Sequence, residues 1–365
     1  IENQTYSEMF KEDVQKKIQL SYEIMDFALR GGTGFYTIPE IEEFYVSLGE
    51  RIPLIHTTKE HYPNSYLHVM TKAYPTGGHS RVVARWIECS DIKQKHSVIL
   101  LNQEEVMIPD DIQRAVSSHN GEIYVSTQTD LIENAKFLRE ISLQYEGIIL
   151  HTHPNDPTAI IAYGTNEFNT PVLMFNHADH NYWCGACIVD VLADIRDNGI
   201  SHKYRNIDDV FMLRIPIASD LCLEKYITSK SVARASLGIS EQTKVMLTIG
   251  RSTKYKPVGN IEFCTVMQRI LQQIPDSICL GIGPTQDIGN WGRVQNCVPL
   301  GEIEYGEAYY KYLAAADLYV DSFPIYGGTA AMDAVQAKLP VLSYSVFNPD
   351  FGSLVAGVER IADEN

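Results

Sequence analysis

The 365 residues carry 30 Lys/Arg against 46 Asp/Glu and are 45% hydrophobic. That length exceeds one ordinary core and sets two domains as the expectation, and the 21% charged, average-apolar composition excludes a disordered or fibrous chain. A net charge of -16 argues against nucleic acid or an anionic membrane surface as the main partner, and no run of 18 apolar residues reads as a membrane span.

Residues 7–30 read as an amphipathic helix, with Met9, Val14, Ile18, Tyr22, Ile24 and Leu29 near helical spacing and Gly31-Gly32 as the stop. A shorter helical piece covers 41–48. Together they form a helical extension, residues 1–60, read as packing against a core or serving docking and oligomerisation. From Tyr66 short apolar runs alternate with helical patterns. Strands are expected at 66–71, 97–101, 122–125, 147–151, 172–175 and 210–214, with helices at 81–88, 110–117, 131–144 and 184–196. This repetition predicts a parallel α/β sheet in a domain spanning 61–227.

Residues 215–240 read as a connector ending in a charged helix, 230–237, stopped by Gly238. A second series fills 228–365: strands at 245–250, 278–282, 297–300, 318–321 and 341–343, and helices at 261–272, 306–314 and 328–337. The fold class is therefore α/β, two Rossmann-like domains with an N-terminal helical extension. Tandem domains of this kind bind ligands in the cleft outside the carboxyl ends of their strands.

Charge and imidazole are unevenly spread. Residues 1–227 hold 19 Lys/Arg and 32 Asp/Glu, whereas 228–365 hold 11 and 14, and all eleven histidines lie between His56 and His202. Proton transfer by histidine therefore belongs to the first part. The seven cysteines, odd in number and mostly within apolar patterns, read as reduced buried thiols of a cytoplasmic protein. The chain starts at Ile1 and ends at Asn365 without a helix stop, which reads as a trimmed piece.

Chemistry concentrates in glycine turns. The strand ending at Asp321 runs into Gly327-Gly328-Thr329-Ala330, which opens a helix. Unpaired N–H groups and the helix dipole there favour an anion, and glycine lets a phosphate approach the backbone. Asp333 sits one turn inside, placed to accept from ribose hydroxyls. A second strand ends in Gly250-Arg251-Ser252, followed by Lys254, Lys256 and Pro257. Two such turns in one sheet can converge on a diphosphate, with Lys and Arg neutralising it.

The order of these segments, with Gly281-Ile282-Gly283-Pro284 and Asp317 between them, resembles the donor domain of GT-B glycosyltransferases. More narrowly it is similar to the O-GlcNAc transferases and the bacterial protein N-glucosyltransferases, over about residues 228–345. The resemblance implies a nucleotide-diphospho sugar donor, UDP foremost, and a protein or glycan acceptor, with no other cofactor. It implies that Lys254, three residues before Pro257, and Gly327 to Thr329 meet the diphosphate, that Asp333 meets the ribose, and that Ile303 to Tyr305 lie near the base. Gly78, in the run Thr76-Gly77-Gly78-His79, is similar to the first glycine-rich loop of GT-B enzymes, which lies against the donor phosphate.

Departures from the pattern carry information. Retaining GT-B enzymes commonly pair two glutamates eight positions apart across this turn, where Ile325 and Asp333 stand here. The missing first carboxylate implies an inverting displacement. The O-GlcNAc transferase pattern also has Thr and His where Ala330 and Gly328 occur, so backbone donors must do more.

An inverting displacement needs a base on the acceptor side. His79, His177, Asp179 and His180 are the candidates, His79 also being placed to hydrogen-bond a phosphate or to cap its helix. His153 and Asp156 follow a neighbouring strand end and are read as acceptor-side. His177, His180, Cys184 and Cys187 have metal-ligand types. On one continuous helix, however, the first and last stand about 15 Å apart at about 1.5 Å per residue, too far for ligands about 2 Å from one zinc. Packing thiols are the default reading, a redox pair the alternative, and no metal is expected. Tyr182 and Trp183 are expected to begin that helix and to pack in the core.

These readings point to an inverting, metal-independent glycosyltransferase. The rivals are a GT-B-shaped binding or scaffold module of a larger protein and a phosphotransferase of cell-wall polymer synthesis.

Overall fold

The computed structural model describes residues 2–30, 34–53, 61–75, 78–103, 107–179, 181–195, 205, 207, 210–215, 223–257 and 261–343. Two compact units emerge: Ile1–Ala73, Ser90–Val106 and Val116–Pro216 in the first, and Tyr74–Cys89, Met107–Ala115 and Ile217–Asn365 in the second.

The first unit contains helices α1 (Glu2–Arg30) and α2 (Pro39–Gly49) and a seven-stranded sheet. Its strands are β1 (Ser65–Met70), β2 (Lys95–Leu100), β3 (Ile123–Val125), β4 (Gly147–His151), β5 (Val172–Asn176), β6 (Val191–Asp194) and β7 (Phe211–Arg214), in the order β3-β2-β1-β4-β5-β6-β7 and parallel throughout. β1 and β4 are buried on both faces almost throughout, as a parallel sheet covered by helices requires. Helix α5 (Leu131–Ser142) starts at Asp130, whose carboxylate accepts from Ile132 N and Glu133 N. A short helix α6 (Thr158–Tyr163) lies in the same core.

Both N-terminal helices pack against the core of this unit. Val14, Ile18, Met25 and Ala28 of α1 share one hydrophobic core with Ile41, Tyr45 and Leu48 of α2 and with β1 and β4. Arg139 of α5 donates to the carbonyls of Gly49, Ile52, Ile161 and Ala162, satisfying the open ends of α2 and α6.

The expected helix at 184–196 does not form. Gly185 takes a left-handed φ of 109°, a single 3-10 turn covers Ala186–Ile188, and the chain then enters β6. Tyr182 and Trp183 do not begin a helix but are buried in the core. Of the described cysteines, Cys184, Cys264, Cys279 and Cys297 are buried thiols, whereas Cys89 and Cys187 are exposed, and Cys222 lies outside the described residues.

The second unit contains α3 (Gly78–Cys89), α7 (Leu223–Tyr226), α8 (Lys230–Leu237), α9 (Phe263–Gln273), α10 (Glu307–Ala315), α11 (Thr329–Gln336) and a five-stranded parallel sheet. The strands β8 (Lys244–Ile249), β9 (Ser277–Ile282), β10 (Cys297–Gly301), β11 (Leu318–Val320) and β12 (Val341–Leu342) run β10-β9-β8-β11-β12. Helix α4 (Asp110–Ser118) begins in this unit. Ser229 caps α8 through Val232 N, and Gly238 closes it with a left-handed φ of 68°.

Candidate functional site

In the five-stranded sheet β8 is the switch point: β9 and β10 follow on one side, β11 and β12 on the other. The loops leaving β8 and β11 therefore diverge, opening a crevice at the carboxyl ends of the strands. The predicted residues of both loops meet there. After β8, Gly250 and Arg251 lead into a 3-10 turn, Ser252–Tyr255, anchored by the buried Tyr255, whose hydroxyl pairs with Thr248 at 2.9 Å. Lys254 Nζ donates to the carbonyl of Tyr326 at 2.6 Å, tying this turn to the segment just before Gly327. Ser252 Oγ donates to the Gly283 carbonyl at 2.9 Å, and Gly283 adopts a φ of 101°. A Cβ on Gly283 would stand 2.1 Å from the Gly250 carbonyl oxygen.

After β11, buried Asp321 fixes the turn: its Oδ1 accepts from Ser322 N at 2.8 Å and Gly327 N at 3.0 Å. Gly328 precedes α11, which begins at Thr329. A Cβ on Gly78 would fall 2.2 Å from Thr329 Oγ1, so the start of α3 lies directly on the start of α11. Ala330 is buried in the core and contributes its backbone alone.

Asp333 is fully buried and both its oxygens are engaged. Oδ2 accepts from Arg81 Nη1 at 2.6 Å and Tyr309 OH at 2.8 Å, and Oδ1 from Arg85 Nη2 at 2.7 Å. Arg85 Nη2 also donates to Tyr305 OH at 2.8 Å, and the Arg81 guanidinium lies 4.7 Å over the Tyr305 ring. Ile303 is half-buried against the core that contains Tyr309 and Tyr310. Arg81 and Arg85 were not singled out from sequence. Their one trace is a four-residue spacing, which puts both on one side of a helix.

The electrostatics follow from this crowding. Burial drives the Lys254 ammonium down to about 8, with Arg251 and Arg81 adding to the effect and Asp321 opposing it. Burial pushes the Asp321 carboxyl up to about 6 against the Gly327 N–H and Lys254. Burial alone would raise Asp333 as well, but Arg81 and Arg85 hold it below the usual carboxylate range. The crevice thus offers cations, glycine backbone and a helix start, the chemistry of a phosphate site.

The seven-stranded sheet has its own switch point between β1 and β4. Beside it, Thr71 Oγ1 donates to Asp156 Oδ2 and accepts from His153 N at 2.9 Å. Asp156 Oδ1 accepts from Thr158 N and Oγ1, so this carboxylate also organises the entry to α6. His153 and His177 line one small pocket with Thr152, Asn176, Trp183 and Cys184. Asp179 is buried in the turn after β5, while His79 stands in the first turn of α3 in the other unit. His180 lies outside the described residues. Among the described residues no group of His, Cys, Asp and Glu is placed to hold a metal, and no helix is long and apolar enough to cross a membrane.

Sequence reasoning also passed over two histidines, His68 and His96, which meet His151 at neighbouring strands. His68 of β1 bonds through Nδ1 to His151 Nε2 at 3.0 Å and through Nε2 to His96 Nδ1 at 2.9 Å, a buried imidazole chain across β2, β1 and β4.

No protein-family model and no curated protein matches the sequence. Solved structures do resemble the fold. HepE of Anabaena, in complex with UDP and glucose, superposes with a TM-score of 0.58 at 15% identity, over 76% of this chain and 80% of that one. Sucrose-phosphate synthase of Thermosynechococcus elongatus gives 0.53 at 14% identity, over 82% and 90%. The O-GlcNAc transferase of Thermobaculum terrenum gives 0.55 at 11% identity, over 95% and 65%. These neighbours are GT-B glycosyltransferases, and with its two parallel sheets the chain has the GT-B fold.

Proposed function

We propose that this chain is a glycosyltransferase that moves a sugar from a nucleotide-diphospho sugar, UDP foremost, to a protein or glycan acceptor. The observation that carries the reading is the join of the two loops at the β8–β11 switch point, where Lys254 meets the Tyr326 carbonyl beside the Gly327–Thr329 helix start. A diphosphate seated there exchanges that carbonyl for its own oxygens as the partner of Lys254 and receives backbone N–H groups from α11. Solved structures of the same fold carry UDP and UDP-glucose, which supports the donor class.

Departure of the nucleoside diphosphate leaves negative charge on the β-phosphate. Lys254, Arg251 and the positive end of α11 stabilise it in place, as an electrostatic route that needs no metal. The absence of a carboxylate at Ile325, which is half-exposed, supports a single inverting displacement by the acceptor hydroxyl. That hydroxyl loses its proton to one of His79, His177, Asp179 or His180, with His153 and Asp156 on the acceptor side. The cytoplasmic setting inferred from the cysteines belongs to the same proposal.

One observation favours a second reading, a binding module without turnover: both oxygens of Asp333 are occupied by arginines. Calorimetry and thermal shift with UDP, GDP, CDP and dTDP and their sugars separate the two, together with release of free sugar. A transferase binds one nucleotide family, hydrolyses its sugar slowly, and loses at least tenfold in affinity with Lys254→Ala. Binding without any turnover favours the module, and no binding by any nucleotide sinks the donor site.

A further inference from the structure

Among the described residues of the crevice, Arg81 is a buried cation with a donor that has no hydrogen-bond partner. Its side chain is 8% exposed. A guanidinium has five N–H donors in a fixed fork. Nη1 is spent on Asp333 at 2.6 Å, with Tyr309 OH at 3.4 Å. Nη2 has a long contact of 3.4 Å to Thr329 Oγ1, and Nε has no hydrogen-bond partner although buried. Nε and Nη2 form one edge of the plane, the edge that grips two oxygens side by side. That edge lies against Thr329, at the first residue of α11, on whose side chain the backbone of Gly78 packs so closely that residue 78 can carry no Cβ.

Leaving a buried N–H without an acceptor is unfavourable, because its desolvation is not repaid, and the local charges do not remove the need for one. Arg81 and Arg85 share the single carboxylate of Asp333. The nearby Asp111, whose carboxyl burial raises and Arg81 lowers, accepts its own hydrogen bond from Ile112 N. A helix N-terminus, an unsatisfied guanidinium edge and a shared carboxylate together describe a seat for a further anion.

We propose that Arg81 is a phosphate-binding residue, its Nε–Nη2 edge gripping two oxygens of the donor's diphosphate at the start of α11, and that Asp333 is the positioning residue that holds it there. This rests on the nucleotide-site reading and gives Asp333 a role that its buried ion pairs permit. Arg81 also supplies the side-chain donor that Gly328 and Ala330 do not. Arg85 serves as the internal comparison: it shares Asp333 and is similarly buried, but its Nη2 is already divided between Asp333 and Tyr305 OH.

The test is calorimetry of the full chain with UDP and, separately, inorganic pyrophosphate, for the native protein, R81K and R85K, with urea unfolding of each. Both variants keep the charge and lose the planar fork. R81K is expected to weaken UDP and pyrophosphate by tenfold or more, while R85K stays within about twofold at a similar loss of stability. Equal effects of the two variants, or none from R81K, overturn the role of Arg81 while leaving the nucleotide site intact if Lys254→Ala still weakens UDP. Absence of UDP binding by the native protein removes the nucleotide site itself. Should R81K fail to fold, the Arg81 Nε–H resonance of the native protein decides: a large shift on saturation with pyrophosphate supports the grip, and an unmoved resonance refutes it.

Discussion

Lys254 Nζ stands 2.6 Å from the carbonyl oxygen of Tyr326, linking the loop after β8 to the loop after β11 across a switch point of the sheet. An ammonium held at about 8 is charged at neutral pH but releases its proton within reach of ordinary assays. A bound diphosphate favours the charged form and raises that value, so above pH 8 binding must take up a proton.

Nucleotide affinity should accordingly be flat near pH 7 and fall as pH rises through about 8, approaching tenfold per unit. Calorimetry in two buffers of different ionisation enthalpy should report proton uptake at pH 8.5 and little at pH 7. Lys254→Arg, which stays protonated, should remove the uptake. Pure pH independence in the native protein would show that another group carries the charge.

The glycines of the crevice differ in what they tolerate. Gly283 combines a φ of 101° with a carbonyl 2.1 Å from any Cβ, whereas Gly301 has a φ of 70° and open space. Gly301→Ala should cost about 1–2 kcal/mol from backbone conformation alone. Gly283→Ala should cost more and weaken nucleotide binding, because Gly250 must move. Equal unfolding midpoints for the two variants would contradict this.

Glu42 of α2 is buried and accepts from three successive backbone N–H groups, Gly185 at 2.9 Å, Ala186 at 3.2 Å and Cys187 at 2.9 Å. Glu42→Ala strands all three donors, and a loss of about 3 kcal/mol is expected in urea unfolding. The Glu42→Ala protein should also expose Cys187 further, read as faster thiol labelling. A loss under about 1 kcal/mol would mean that water replaces the carboxylate.

The imidazole chain makes the first unit acid-sensitive. Burial, with His96 beside it, holds His68 well below its ordinary value, and burial, with His119, lowers His96 to about 4. The unfolded chain protonates near 6.5, so below that pH it binds protons that the native state refuses. Stability is full above about 6.5 and declines as pH falls toward 4, by about 1.4 kcal/mol per unit for each such group. Unfolding measured at pH 7.5 and 5.5 should show this slope, and His96→Gln should reduce it.

The legible parts of the fold were those whose burial leaves a local rhythm. Helix α8 matches its expected bounds, because Ser229 and Gly238 mark both ends. Strands β4 and β8 stand within a residue of expectation, as short apolar runs between turn residues. The 184–196 stretch failed because its apolar residues suit either period, and the deciding fact, a left-handed Gly185 held by Glu42 from another helix, is 143 positions away in sequence. Helix α6 escaped notice because six mostly apolar residues carry too little periodicity.

The glycine turns were likewise visible, since Gly250, Gly283 and Gly327 to Thr329 mark the strand ends of a parallel sheet by residue type alone. Their assembly was not. Lys254 finds Tyr326 over 72 positions, and Asp333 finds Arg81 over 252. By itself the sequence determined the α/β layering, most of the strands and helices, and the chemistry available at the loops, because periodicity and turn residues act over a few positions. Only the tertiary structure decided that Asp333 binds two arginines and that three histidines line up across a sheet. Charge pairing and hydrogen bonding between distant segments depend on packing and leave no local pattern to read.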